Sequence, residues 1–270
     1  MENAQLLDPK SFFETTGGPI EALFDGCRYV WEALARIPTY LHENLQSNVR
    51  DVACFLQPLP HTVIIWERRI WRDGFEILGG DVTKGTFTVS IDGRETTRAT
   101  VLFAGAVLWD DRIQLGMGTV VEPGALIKGP TIIGPHTEIR QGAYLRGKCI
   151  IGSRCVVGHT TEMKNSVMLD GAKAGHFAYI GDSILGCDTN LGAGTKLANL
   201  KLKGDTVAIP FEGLMLDTGL RKLGAIIGDG TEIGCNAVTN PGTLLGKGSG
   251  VLPTVSVRTG YYGPKSIIRA

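Results

Sequence analysis

Lys128, Arg146 and Lys164 are spaced 18 residues apart, and each follows an aliphatic residue directly. Twelve positions on, His176 sits in the run Gly175-His176-Phe177-Ala178-Tyr179. If residues 18 apart stack, the first three form a column of like charges that repel one another. Such a column is relieved by long side chains splaying into solvent. It is also relieved by an anion such as phosphate, with Arg as a two-pronged donor and Lys as a point charge. An imidazole, with an unperturbed pKa of ~6.5, can take a proton at neutral pH. The plainer role for His176 is an exposed or hydrogen-bonded structural histidine. A metal site is not indicated: His136, His159 and His176 lie 23 and 17 residues apart, without the HxxxxH pairing of zinc-holding repeat enzymes.

Positioning these residues requires an 18-residue stack, and the sequence supplies one. Stepping by six from Leu115 gives Val121, Ile127, Ile133, Ile139, Leu145, Ile151, Val157, Met163 and Leu169. Backward steps reach Trp109 and Phe103. Four residues after each position stand small or β-branched side chains such as Thr119, Ala125, Thr137, Cys149 and Cys155. A six-residue period suits neither a 3.6-residue helix nor a simple alternating strand. It suits short strands joined by tight corners, three to a triangular coil, with aliphatic side chains pointing into a prism. The pattern resumes at Ile180, Leu185, Leu191 and Leu197, and again from Ile227 to Val257. The expected fold is therefore mainly β: a parallel β-helix of hexapeptide repeats, with about seven coils over residues 101–262. A loop at 203–223 interrupts it. Between Leu169 and Ile180 the period slips by one residue, which places His176 at an apparent register fault.

The remaining composition narrows the function. The chain has 270 residues with 27 basic and 27 acidic side chains, so no electrostatic case exists for a nucleic-acid binder. No apolar run approaches the ~18 residues of a membrane span, and the Met1–Gln5 start lacks a basic, then apolar, leader. Six cysteines without paired spacing fit reduced thiols, and together these readings point to the cytoplasm. Of 37 glycines only eight precede residue 100, so residues 1–100 are built differently. There the spacing of Ile20, Leu23, Phe24, Cys27, Val30, Trp31 and Leu34 predicts an amphipathic helix closed by Pro38, with a short second helix at Leu41–Leu45. Runs at Thr62–Trp66 and Thr86–Ile91 predict strands. This α+β extension is expected to cap the first coil, an open β edge, or to pack subunits together.

The series Glu162-Met-Lys-Asn-Ser, Lys173-Ala-Gly-His-Phe-Ala-Tyr-Ile-Gly-Asp182, Asn190-Leu-Gly-Ala-Gly-Thr195 and Ala198-Asn199 resembles the acetyltransferase half of bifunctional glucosamine-1-phosphate N-acetyltransferase/UDP-N-acetylglucosamine pyrophosphorylase. The run from Leu216 to Asp229, with Asn240-Pro-Gly242, resembles its archaeal-type branch. That resemblance implies a left-handed β-helix working as a homotrimer, with acetyl-CoA in the groove between prisms and no metal required. It implies Arg146 and Lys164 as binders of the sugar phosphate, Tyr179 and Asn190 as sugar contacts, and His176 as general base. Asn199 falls beside the reacting amine and Ala193 supplies a backbone amide near the thioester oxygen. Cys235 falls where bacterial relatives carry Ser near the coenzyme, and Leu200 follows Asn199 where they carry Tyr. The implied activity is acetyl-CoA-dependent N-acetylation of an amino-sugar 1-phosphate, most simply glucosamine 1-phosphate, in UDP-N-acetylglucosamine synthesis. The galactosamine epimer, a nucleotide-linked amino sugar and a longer acyl donor remain open. Residues 1–100 lack the Gly-rich loop of the family's nucleotidyltransferase domain, so no pyrophosphorylase activity is expected. The alternative is a noncatalytic β-helix that binds a sugar nucleotide or a partner subunit.

Overall fold

A computed structural model describes residues 6–14, 18–52 and 55–269; Met1–Gln5 and Cys54 lie outside them. From Thr100 onward the chain winds as a left-handed parallel β-helix. Its first face holds nine parallel strands, from Thr100–Leu102 to Ile267–Ile268. The second face runs from Val107–Leu108 to Ser256–Val257 and the third from Ile113–Leu115 to Gly260–Tyr262, with eight strands each. The stack thus has about nine turns rather than the expected seven. It starts at Thr100, next to the expected start at 101, and runs to Ile268, beyond the last strong aliphatic repeat at Val257.

Two features hold the stack. Inward side chains such as Val121, Ile127, Ile133, Ile139, Leu145 and Ile151 are almost wholly buried in one continuous core. The small slots carry Thr119, Thr137 and Thr161, whose hydroxyls donate to Gly134 O (2.9 Å), Gly152 O (2.9 Å) and Ala174 O (3.1 Å) one rung on. Each threonine thereby satisfies a polar atom inside the prism without widening it.

The six-step scan misplaced three side chains. Leu102, Leu108 and Met168 point inward, whereas Phe103, Trp109 and Leu169 do not join that core. Each pair is adjacent and apolar in both members, so corner length, not hydrophobicity, decides which one turns in. With Met168 restored, the inner column reads Met168, Ala174, Ile180 at even spacing. The register fault therefore does not lie at His176. It lies at two shortened corners, Lys164-Asn165 and Gly181-Asp182. Tyr144 pairs with Glu162 at an 18-residue offset, while Cys149 pairs with Ser166 and Val167 with Ile184 at 17.

The first hundred residues do two jobs. Strand β1 (Val63–Trp66) runs antiparallel to the first coil strand and to β2 (Arg69–Trp71), closing that end of the prism. Strands β3 (Phe75–Gly79), β4 (Thr88–Ile91) and β5 (Arg94–Thr96) form a small antiparallel sheet beside it. The helical part lies instead along the third face. Its buried Phe12, Leu23, Trp31, Leu34, Ile37 and Leu41 pack on Ile150, Val167, Ile184, Ile226 and Leu244. The predicted single helix is broken: 3-10 turns at Pro19–Leu23 and Val30–Glu32 precede an α-helix at Ala33–Asn44. Gly26 takes φ +67° between them, and Glu32 Oε2 accepts from Arg28 N (2.8 Å), restarting the chain in a new turn. The helix continues through Pro38 because Ile37, Tyr40 and Leu41 extend the buried stripe beyond it. That burial offsets the hydrogen bond proline cannot make.

The interruption at 203–223 is not structureless. Strands Ala208–Phe211 and Leu214–Asp217 make a hairpin whose Val207 and Ile209 are buried with the third-face cluster, and Phe211 meets Tyr261 edge-on at 5.6 Å. No helix in the described residues is long and apolar enough to cross a membrane.

Ile184 has no exposed surface in the seam between helix and third face. Ile184→Ala is expected to cost about 2–5 kcal/mol. Urea denaturation followed by the fluorescence of Trp31, buried in the same seam, measures it.

Candidate functional site

The corner from the first to the second face passes through His176, Phe177, Ala178 and Tyr179, and the eight expected residues divide around it. His176 ends the strand Lys173–His176 and is exposed, in register with His159 one rung before. With Asn190 and Ala193 it lines a hollow of about 270 Å³, together with Arg140 and Lys173. Asn190 also borders a neighbouring groove of about 410 Å³ that runs past Ile233, Cys235, Val251 and Pro253. Asn190 Nδ2 donates to Glu232 Oε2 at 3.0 Å. The Ala193 carbonyl accepts from Asn236 N (2.8 Å); its own N–H finds no hydrogen-bond partner among the described residues.

On the second face, Arg146 and Lys164 stand beside one another because Leu145 pairs with Met163. They are not bare cations. Arg146 donates to Glu162 Oε1 at 2.7 Å, which pushes its pKa above the ordinary value, and its side chain stays 44% exposed. Lys164 Nζ lies 3.1 Å from Asp182 Oδ2 with only 19% of its side chain exposed. Lys128 completes the column without a carboxylate: its Nζ sits 4.0 Å from the Trp109 ring centre and 5.4 Å from that of Tyr144. The expected repulsion is thus relieved partly inside the chain, by two ion pairs and two cation–π contacts.

The next position in the column is Gly181, in register with Lys164. A Cβ there would stand 2.6 Å from Tyr179 Oη and 2.8 Å from Asn199 Nδ2. The missing side chain is what lets the Tyr179 ring lie over the strand and reach Asn199 Oδ1 at 3.4 Å. Asn199 itself is nearly buried, and its Nδ2 donates to Asp182 Oδ2. The fold therefore brings Arg146, Lys164, Tyr179 and Asn199 into one polar cluster. His176, Asn190 and Ala193 line the hollow, and Cys235 lies on the neighbouring groove that Asn190 also borders.

Glu162 and Asp182 stand in the sequence series without an expected role, and the fold makes them the carboxylate partners of Arg146 and Lys164. The signal was available: the inner column steps by five from Met163 to Met168 and from Ile180 to Leu185, marking both shortened corners. Among the described residues no group of His, Cys, Asp and Glu is arranged to hold a metal ion.

A hexapeptide-type β-helix with a polar corner beside an open groove is thus the class of protein that this geometry defines. Over its coils the chain resembles bifunctional sugar-1-phosphate nucleotidylyltransferase/acetyltransferases, as the residue series implied. It is 37% identical over 153 residues to the protein of that description from Sulfurisphaera tokodaii, a match covering 57% of this chain and 37% of that one. It is 37% identical over 93 residues to the bifunctional protein GlmU of Methanococcus vannielii, covering 34% of this chain and 22% of that one. The chain thus spans well under half the length of these relatives. The GMPPB C-terminal domain model matches residues 127–219. A solved perosamine N-acetyltransferase from Caulobacter crescentus, with CoA and GDP-perosamine, overlaps 37% of this chain and 49% of its own at 23% identity and a TM-score of 0.31.

The thiols report on the groove. Burial pushes Cys149 up to about 12 and raises Cys155 further, while Cys187, half-buried near Asp229 and Asp170, is pushed up to about 11. Cys235 is exposed on the groove wall. Iodoacetamide at pH 8 is expected to label Cys235 and leave Cys149 and Cys155 unmodified until the chain unfolds, because only the thiolate reacts. Peptide mass spectrometry checks each site separately.

Proposed function

We propose that this chain is an acetyl-CoA-dependent N-acetyltransferase acting on an amino-sugar 1-phosphate, with glucosamine 1-phosphate the simplest acceptor. The observation that carries this reading is the placement of His176 at the corner between the polar cluster and the groove. Similarity over the coils to a relative named as a bifunctional sugar-1-phosphate nucleotidylyltransferase/acetyltransferase supports it.

In this reading Arg146 and Lys164 hold the sugar phosphate, and Tyr179 and Asn190 contact the ring. His176 takes a proton from the 2-ammonium, freeing the nitrogen lone pair to attack the thioester carbonyl. The free N–H of Ala193 donates to the oxyanion that forms. As the carbon–sulfur bond breaks, the imidazolium gives its proton to the departing thiolate, and the nitrogen releases its second proton to solvent to leave the neutral amide. Asn199 stands beside the amine, and remote phosphate contacts fix its approach. The CoA chain lies along the groove past Cys235, completed by a neighbouring prism in a homotrimer. No metal enters these steps.

One observation favours a second reading, a noncatalytic β-helix. Arg146 and Lys164 are each already paired with a carboxylate, as structural ion pairs are.

The deciding experiment follows CoA thiol release from acetyl-CoA with glucosamine 1-phosphate, without added metal. His176→Ala is expected to lower kcat by about 100-fold or more. Turnover unchanged in the variant would remove His176 as the base but keep the activity. No release with this sugar or its galacto epimer favours the noncatalytic reading.

CoA binding is expected to raise the melting temperature of the native chain. It is also expected to slow alkylation of Cys235. A thermal shift with undiminished labelling would move the coenzyme away from this groove. Light scattering tests the trimer.

A further inference from the structure

Asp182 is only 5% exposed, yet its carboxylate has three side-chain partners. Oδ1 accepts from Asn165 Nδ2 at 2.8 Å. Oδ2 accepts from Asn199 Nδ2 and lies 3.1 Å from Lys164 Nζ. Its backbone is committed as well: its N–H donates to Lys164 O (3.1 Å) and its carbonyl accepts from Gly224 N (2.8 Å). Both shortened corners bend through left-handed backbone, with φ +43° at Asn165 and +48° at Asp182. Asn and Asp tolerate that region best among residues with a side chain.

The consequence is chemical. A carboxylate only accepts hydrogen bonds, so the group of Asn199 that faces it must be the amide NH₂. The amide oxygen is thereby turned the other way, toward Tyr179 and the open side of the cluster, where it can accept from a donor such as an amine. The same carboxylate restrains Lys164 and, with Glu162 beside Arg146, balances the formal charge of the Arg146–Lys164 pair.

We propose that Asp182 is a positioning residue of this site, fixing in one contact the orientation of the Asn199 amide and the place of Lys164. The proposal rests on the acetyl-transfer reading for its kinetic consequence, but its geometric content stands apart from turnover. Asp182→Asn is nearly isosteric and offers one acceptor and one donor in place of two acceptors. It cannot accept from Asn165, Asn199 and Lys164 in the same way, so the Asn199 amide is expected to turn over and Lys164 to be released.

The expected kinetic result is a split. kcat falls about tenfold or more, while KM for the sugar phosphate stays level or drops because Lys164 gains freedom to pair with the anion. KM for acetyl-CoA does not change. A residue that merely held the fold would lower the melting temperature and the active fraction but leave kcat per folded site unchanged, so kcat is normalised to the folded fraction measured by circular dichroism. A kcat within twofold of wild type, or a raised KM with kcat intact, overturns the proposal.

Should wild type itself fail to transfer acetyl groups, the acetyltransferase reading falls, and a crystal structure of Asp182→Asn decides the positioning role alone. Asn199 and Lys164 displaced from their wild-type positions uphold it; both unmoved overturns it. If Asp182→Asn does not fold, Asn165→Asp tests the same contact from the other side. A carboxylate facing Asp182 repels it, so the same kinetic split and the same displacements are expected, and their absence overturns the proposal.

Discussion

Every rung of this protein is held by backbone hydrogen bonds to the rungs on either side, as in Val120 N to Thr137 O, Glu138 N to Cys155 O and Val156 N to Ala172 O. Inter-rung bonding satisfies the backbone only if each strand sits over the next, and that requires nearly constant coil length. The inward aliphatic column depends on the same condition. A coil one residue short would turn its inner side chains outward unless a corner absorbed the loss.

Two corners absorb it here, and the polar cluster is built on them. Shortening at Lys164-Asn165 and Gly181-Asp182 brings Asn165 and Asp182 into left-handed backbone and stacks one corner over the other. Gly181 leaves the notch into which Tyr179 folds. Lys164 and Asn199 owe their shared partner Asp182 to this local departure from the repeat, whereas Arg146 stands beside Lys164 by the ordinary 18-residue register. The other four expected site residues lie along the first face and its corner, with His176, Asn190 and Ala193 around the hollow and Cys235 on the neighbouring groove.

The outer faces are used unequally. Aliphatic side chains on the outside of the third face, including Ile150, Val167 and Ile184, would leave a long apolar strip in water. Residues 7–14 and 18–41 and the hairpin at 208–217 cover it. The first and second faces carry mixed outward rows, with Val120, Glu138, Val156 and Lys173 on one and Leu126, Tyr144, Glu162 and Tyr179 on the other. His176 and Phe177 stay exposed at their shared corner. The N-terminal extension thus fixes by exclusion which corner of the prism remains available to a ligand or another subunit.

The β-helix was legible because its signal is repeated: one side chain in six must fill the prism, and Leu115 to Met163 all obey. The charged column at Lys128, Arg146 and Lys164 was legible for the same reason, since equal spacing along the chain becomes adjacency in the stack. The carboxylate partners of Arg146 and Lys164, the aromatic rings around Lys128 and the true place of the register fault were not. Adjacent apolar pairs such as Met168 and Leu169 satisfy a six-step pattern equally well, and only the length of each corner decides which member turns inward. The route of residues 7–14 and 18–41 was hidden likewise: local periodicity shows that a helix has an apolar face, while what covers that face depends on distant strands. Sequence determined the repeat and its columns because those are local and periodic. Tertiary structure decided the corners and the partners because those depend on where separate rungs come to rest.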